Sequence, residues 1–275
     1  MDLYEELSYK ISKDLTSEYS TSFGISSKLF AKEIRKHIYA IYGMARISDE
    51  VVDTYKGKKQ KEILNDLEND IYRALDLGYS ANPIIHAFAI TSREFGIDKS
   101  LIRPFFKSML MDINPPTFSK ALYDEYIYGS AEVIGLMCLK VFCQNDNSEY
   151  EKLSKGARKL GSAYQKVNFL RDLADDYKEL GRIYFPGTSF EEFDEKVKNR
   201  ILNEIEKEFV EAEKAMKKLP KNSRLAVMTS YSIYFKLLEK LKKTPALKLK
   251  EQRVRVNNFV KFYLILKTIV RYKFS

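Results

Sequence analysis

The sequence contains no tryptophan, only two histidines and only two cysteines among 275 residues. Neither His37 nor His86 has a ligand-type partner nearby, which makes zinc a poor fit. Cys138 and Cys143 lie five apart in an apolar segment, where a helix would set them on different sides. Free buried thiols in a reducing compartment, and so a cytoplasmic protein, are the expectation. Seven prolines and eleven glycines form no cluster that reads as a linker, which predicts a single domain over residues 1–275. No repeat of solenoid period and no low-complexity stretch is visible. The N-terminus lacks a basic patch followed by an apolar run, so no secretory signal is expected. A membrane span needs ~20 nearly uncharged residues. The best candidate, Phe259 to Phe274, is broken by Lys261, Lys267, Arg271 and Lys273.

What is abundant is charge, 31% of residues, with a net excess of +9. Such an excess attracts polyanions, whether nucleic acid, an anionic lipid surface or a phosphorylated substrate. Zinc-finger spacing, an RNP-like signature and a basic-zipper heptad are all missing, so no nucleic-acid partner is expected.

Apolar residues recur at helical spacing over most of the chain. The pattern predicts helices over Lys32 to Tyr55, Ile63 to Leu77, Ile84 to Phe95, Ser100 to Met111, Tyr123 to Phe142, Tyr150 to Leu180, Phe190 to Leu219, Ser223 to Lys243 and Val256 to Tyr272. Hinges fall at Asn82-Pro83, Pro115-Pro116, Gly181 to Gly187, Pro220 and Pro245. The fold class is all-α. Between Glu191 and Leu219 the stripe Phe193, Val197, Ile201, Ile205 and Phe209 accounts for packing, and the many Glu and Lys residues read as a solvated face.

Two segments do not fit the pattern of ordinary amphipathic helices. In the first, Tyr42, Arg46, Asp49 and Asp53 fall along one face of a helix that is otherwise largely apolar. In the second, Gln165, Asn168, Asp172 and Asp176 form another stripe, with Arg171 and Asp175 on its flank. One acidic pair at i and i+4 is common in a chain with 38 acids. Two such pairs on apolar helices, each beside an arginine, are a stronger signal. Like charges at this spacing repel by a few tenths of a kcal/mol. A hard divalent cation offsets that repulsion, taking carboxylate oxygens and completing its shell with water and phosphate oxygens.

With these residues in view, the chain resembles the squalene and phytoene synthases, most closely the bacterial phytoene synthases. Asp49-Glu-Val-Val-Asp53 and Asn168-Phe-Leu-Arg171-Asp172-Leu-Ala-Asp175-Asp176 resemble the family's two aspartate-rich motifs. Tyr19-Ser-Thr-Ser-Phe23, Tyr126-Ile-Tyr128-Gly-Ser-Ala131-Glu-Val-Ile-Gly135 and Gly181-Arg-Ile-Tyr-Phe-Pro186 match further family segments in the right order. Weaker similarity, through Tyr234 and Arg253-Val-Arg-Val256, extends towards the C-terminus. Two departures stand out: Glu132 where the family usually has Gly, and Tyr19 where some members carry a basic or polar residue.

The resemblance implies an isoprenoid synthase helical bundle around a central cavity, joining two allylic prenyl diphosphates head to head. It implies two or three Mg²⁺ held by Asp49, Asp53, Asn168, Asp172 and Asp176, with Tyr42 and Arg171 among the catalytic groups. Ser20, Ser22, Phe23, Arg46, Tyr126, Ala131, Gly135, Gln165, Arg182 and Tyr234 become substrate-binding candidates. From the residues alone, core packing is the better reading for Phe23, Tyr126 and Tyr234, whereas Tyr42 shares the acidic stripe. Two geranylgeranyl diphosphates giving phytoene is the leading expectation. The alternatives are a farnesyl diphosphate enzyme making dehydrosqualene, squalene or presqualene diphosphate, and a terpene cyclase or chain-elongating transferase of the same fold. A cyclase or elongating enzyme usually carries an Asp-Asp-x-x-Asp motif, whereas Glu50 follows Asp49 here. NADPH is not expected. The basic C-terminal helix fits either a solvated rim or a peripheral dock on anionic membrane.

Overall fold

Capping chemistry sets most of the helix boundaries. The computed structural model describes residues 2–274, apart from the side chains of Thr21, Ser22 and Leu180, so Ser22 as a binding candidate lies outside the described side chains. Helix α1 (Leu3–Tyr19) starts at Asp2, whose carboxylate accepts from the Glu5 N–H, and α2 (Thr21–Ser26) is capped by Ser20 Oγ. There follow α3 (Lys32–Asp49), α4 (Gln60–Leu77), α5 (Pro83–Phe95), α6 (Lys99–Ile113), α7 (Lys120–Ile127) and α8 (Val133–Cys143). The 34-residue α9 (Asn147–Leu180) runs from an Asp146 cap to Gly181, which turns the chain at φ 64°. Helices α10 (Glu195–Met216), α11 (Lys221–Lys243), α12 (Ala246–Leu249) and α13 (Asn258–Lys273) complete an architecture with no strand among the described residues.

The N-terminal helices were invisible to apolar periodicity for a physical reason. The inward face of α1 is Ser8, Ser12 and Thr16, all fully buried. Their hydroxyls donate to carbonyls one turn back, Ser8 to Tyr4 at 2.8 Å, Ser12 to Ser8 at 3.0 Å and Thr16 to Ser12 at 2.8 Å. Small self-satisfied side chains let α1 press against Gly43 of α3.

Other predicted elements need correction. The helix expected over Lys32 to Tyr55 is α-helical only to Asp49 and then widens into a π turn over Glu50–Thr54. Gln60 Nε2 donates to the carbonyls of Val51 and Val52 at 3.1 and 3.0 Å, satisfying backbone groups at that turn. A second π turn, Tyr128–Glu132, splits the helix expected over Tyr123 to Phe142. The helix expected from Phe190 begins only at Glu195, because Asp194 caps it. Nor are all charges of α10 solvated. Buried Glu208 accepts from Ser162 at 2.9 Å and from Lys166 at 3.0 Å, and buried Lys198 donates to the Thr244 carbonyl at 2.7 Å. Burial of these groups is tolerable because each is paired.

The run most like a membrane span is not α13. Lys120–Cys143 is long and apolar enough by length and composition, which corrects the expectation that no stretch is, but 61% of its most apolar window is buried within the protein. Both cysteines are free; Cys143 is buried, whereas Cys138 is half-buried.

Two large apolar clusters dominate the core, one centred on α3 to α6 and α8, the other on α7 and α9 to α12, and a small third one joins Tyr9, Ala40 and Ala87 under α1. Between the two large clusters lies a cavity of about 1330 Å³, with Ile38, Ile41 and Phe105 from the first cluster and Phe169 and Leu237 from the second on its wall. Close approach of backbones fixes one side of it. A Cβ on Gly161 of α9 would stand 2.6 Å from the Ala131 carbonyl oxygen, and one on Gly135 of α8 would stand 2.9 Å from that of Ala157.

Gly161→Ala is therefore expected to cost about 1–3 kcal/mol through forced separation of α9 from the second π turn. The reading is a thermal midpoint lowered by roughly 3–10 °C. An unchanged midpoint would contradict the close packing.

Candidate active site

The first acidic stripe comes from α3 and the π turn that follows it, the second from α9. Asp49, Asp53, Asp172 and Asp176 all line the one cavity, together with Tyr42, Arg46, Gln165, Asn168 and Arg171. π turns of this kind are frequent at functional sites. Here one carries Asp53 beyond the end of α3, close enough to α9 for its charge to be felt at Asp176.

Arg182 links the two stripes. The left-handed turn at Gly181 returns the chain after α9, and the guanidinium that follows is buried, donating to Asp53 Oδ1 at 2.9 Å and to the Asp112 carbonyl at 2.8 Å. Asp172 is held by two arginines, Arg171 at 2.8 and 2.5 Å and Arg253 at 2.7 Å. Arg46 pairs with Glu50 and lies 3.9 Å from Asp49, while its guanidinium sits 4.2 Å over the Tyr19 ring.

These arginines do not neutralise the site. Burial, reinforced by the charge of Asp53, pushes the Asp49 carboxyl up to about 7, and Arg46 only partly opposes it. Although 39% of the Asp49 side chain is accessible, Asp49 lies on the cavity wall, so the cavity gives that access. Burial and the neighbouring Asp172 push Asp176 up to about 7 as well. Each stripe thus contains an acid that resists ionisation until positive charge arrives.

The donor set suits a hard cation. It consists of carboxylates and one amide, and Asn168 Oδ1 is buried without a hydrogen-bond partner. Arg46 Nε and Arg182 Nε are likewise buried and unpartnered. Among the described residues, no three acidic, His or Cys side chains converge into a ligand set of their own. Asp49, Asp53, Asn168, Asp172 and Asp176 could hold Mg²⁺ in the way that ion is usually bound, through one or two carboxylates each, with water and phosphate completing the shell.

Aromatic rings build the rest of the wall. Phe23 stacks on Tyr42 at 5.2 Å, and Tyr234 on Tyr164 at 3.9 Å. Phe23 and Tyr234 are only partly buried and line the cavity, whereas Tyr126, also at the cavity, is fully packed. Ser20, Ala131 and Gly135 also reach the lining, Ser20 as the α2 cap and the other two as part of the tight α8–α9 approach. Glu132 does not line the cavity; it turns to Arg158, 2.6 Å away.

Sequence reasoning missed Asp112. It is buried at the cavity, accepts from the Tyr126 hydroxyl at 2.8 Å and the Tyr184 hydroxyl at 3.2 Å, and lies 3.8 Å from Arg182. Burial raises its pKa to about 6 against the opposing pull of Arg182. A single acid with no acidic neighbour at helical spacing gives no sequence signal. Arg253 was visible only as part of a weak match.

A family model described as squalene/phytoene synthase matches residues 16–260. The chain is 26% identical over 202 residues to a 4,4'-diapophytoene synthase of Staphylococcus haemolyticus, covering 71% of this chain and 68% of that protein. It is 28% identical over 248 residues to the chloroplastic phytoene synthase 1 of Zea mays, covering 83% of this chain and 60% of that protein. The match thus spans about three fifths of the plant relative's length. A crystal structure of a dehydrosqualene synthase in complex with ligand superposes with a TM-score of 0.84 over 98% of both chains at 19% identity, a likeness of fold.

Acids with raised pKa bind more protons folded than unfolded, so their ionisation removes stability as pH climbs from near 4, and the loss is complete once pH exceeds about 7. Without added divalent cation, Asp49→Asn is expected to raise the thermal midpoint above pH 7 and to leave it unchanged near pH 4. Thermal unfolding followed by circular dichroism at both values checks this. An equal shift at both would assign the effect to packing.

Proposed function

The chain belongs to the squalene/phytoene synthase family, and on that premise we propose that it joins two allylic prenyl diphosphates head to head, with geranylgeranyl diphosphate as substrate and phytoene as product. The observation that carries this reading is that both acidic stripes line one otherwise largely apolar hollow. A substrate with an anionic head and a long apolar tail matches such a cavity in both halves.

Magnesium bound by Asp49, Asp53, Asn168, Asp172 and Asp176 would neutralise the diphosphates and so favour loss of the leaving group. The chain's own groups then divide the work. Breaking the allylic C–O bond sends both electrons to the departing diphosphate, and Arg171, Arg182 and Arg46 are the donors that would stabilise its growing charge. Gln165 and Asn168 would orient the head groups. The cation left behind needs water excluded while the second substrate's double bond attacks it. The rings of Phe23, Tyr42, Tyr164 and Tyr234 line the cavity and offer π faces to positive charge. Proton loss closes a cyclopropyl diphosphate, and a second ionisation followed by rearrangement and proton loss gives the linear product.

A relative named for diapophytoene stands beside those named for phytoene, and this keeps farnesyl diphosphate as the second reading. Mass analysis of products from parallel farnesyl and geranylgeranyl diphosphate reactions, each with Mg²⁺ and with and without NADPH, separates them. A C40 hydrocarbon independent of NADPH is expected. A C30 product supports the second reading, and cyclic or elongated products would overturn both.

The arginine clamp makes a separate prediction. Arg171 engages Asp172 through two nitrogens, and Arg171→Lys replaces that planar fork with a point charge. Turnover should fall by roughly 100-fold or more while the thermal midpoint hardly moves. Undiminished turnover would remove Arg171 from the mechanism.

A further inference from the structure

The apolar part of the cavity has a definite depth. Helices α8 and α9 run antiparallel beside it: the Gln165 side chain donates to Ser130 at 3.4 Å, Gly161 abuts Ala131, and Gly135 abuts Ala157. Followed backwards along α9 from Asp172, the lining passes Tyr164 and Leu160 and ends at Leu153, about 28 Å of helix. Followed forwards along α8, it passes Gly135 and Cys138 and ends at Phe142. The acids therefore stand at one end of the hollow and Phe142 at the other.

That far end is closed and pinned. Phe30 and Phe142 stack with their ring centroids 5.4 Å apart, and both reach the lining. Asn222, in the first turn of α11, donates through its side chain to the Phe142 carbonyl at 2.9 Å, and its own carbonyl accepts from the Ala31 N–H at 2.9 Å. The Phe30 carbonyl accepts from Arg35 at 3.1 and 2.6 Å. Buried Met216 and Leu219 fill the same end. An end wall tied in this way can recede only by breaking paired backbone groups and close packing.

Cys138 marks the level one turn short of that wall. It lies on the lining and is only half-buried, so its small side chain borders open space. On the head-to-head reading proposed above, each tail runs from the acids into this hollow. An extended C20 chain with its diphosphate is about as long as the hollow, whereas a C15 chain ends one isoprene unit, roughly one helical turn, short of it. We propose that the Phe30–Phe142 pair is the floor that stops a C20 tail and excludes a C25 one, and that the small side chain at Cys138 admits the last isoprene unit.

The test reads binding apart from chemistry. Thiolodiphosphate analogues of the C15, C20 and C25 substrates, which ionise slowly, are titrated calorimetrically in the presence of Mg²⁺. The unaltered chain should bind the C20 analogue most tightly. Cys138→Phe fills the last turn and should reverse the C20 to C15 preference by about tenfold or more. Cys138→Leu adds less bulk and reads the same reversal in smaller measure should the larger ring unfold the chain. Phe142→Ala removes half of the floor and should raise affinity for the C25 analogue by about tenfold or more. An unaltered chain that binds C25 as tightly as C20 would overturn the proposal. So would a Cys138 variant with the parent's thermal midpoint and an unmoved length preference. Product length from the natural diphosphates is measured in parallel. Length preference that follows these variants without any prenyl transfer upholds the floor and counts against the reaction; transfer whose product length ignores them does the reverse.

Discussion

Four carboxylates share the wall of a hollow that is otherwise largely apolar, and much of the architecture can be read as the means of holding them there. Alone they would repel, and burial makes each charge costlier still. The chain answers with arginines, but incompletely: Asp172 is gripped by two, Asp53 by one, and Asp49 and Asp176 remain reluctant to ionise. The shortfall leaves acids on the cavity wall whose ionisation added positive charge would favour. Natural sites often give up stability in this manner for function.

Keeping such a hollow open demands a stiff frame. The long α9 provides it, seated against the second π turn through Gly161 and against α8 through the Gly135–Ala157 contact, and joined to α10 by the buried Lys166–Glu208–Ser162 network. Small residues give rigidity by letting backbones touch, and paired charges give it by making slippage expensive. The same frame aims Gln165, Asn168, Asp172 and Asp176 at a common space.

Both acidic stripes were legible because period and chemistry coincided: two acids four apart on a helix whose other faces are greasy. The helix ends at Gly78, Gly96 and Gly181 were equally readable, since each needs the positive φ that glycine adopts freely. What escaped notice depended on tertiary contact. Asp112 acquires meaning only when Tyr126, Tyr184 and Arg182 surround it. Helix α1 hides behind serines and a threonine that satisfy themselves, so the apolar rhythm that betrays other helices is missing. The π turn after Asp49 rests on a side chain eleven residues further on, Gln60, which no local pattern marks. Along α13 the sequence shows an apolar run interrupted by Lys261, Lys267, Arg271 and Lys273, and only the burial of Ile265 and Thr268 reveals which side is packed.

The two departures from the family pattern are informative about where pocket shape is decided. Glu132 replaces a small residue, yet it points to Arg158 and is absent from the cavity wall, so its bulk is absorbed on the outer side of the π turn. Tyr19 is different. It lines the cavity, and its ring lies under the Arg46 guanidinium. An aromatic face there attracts the cation and, together with Glu50, holds the guanidinium near the first stripe. Tyrosine in place of a basic or polar residue therefore changes how Arg46 is held at the cavity wall.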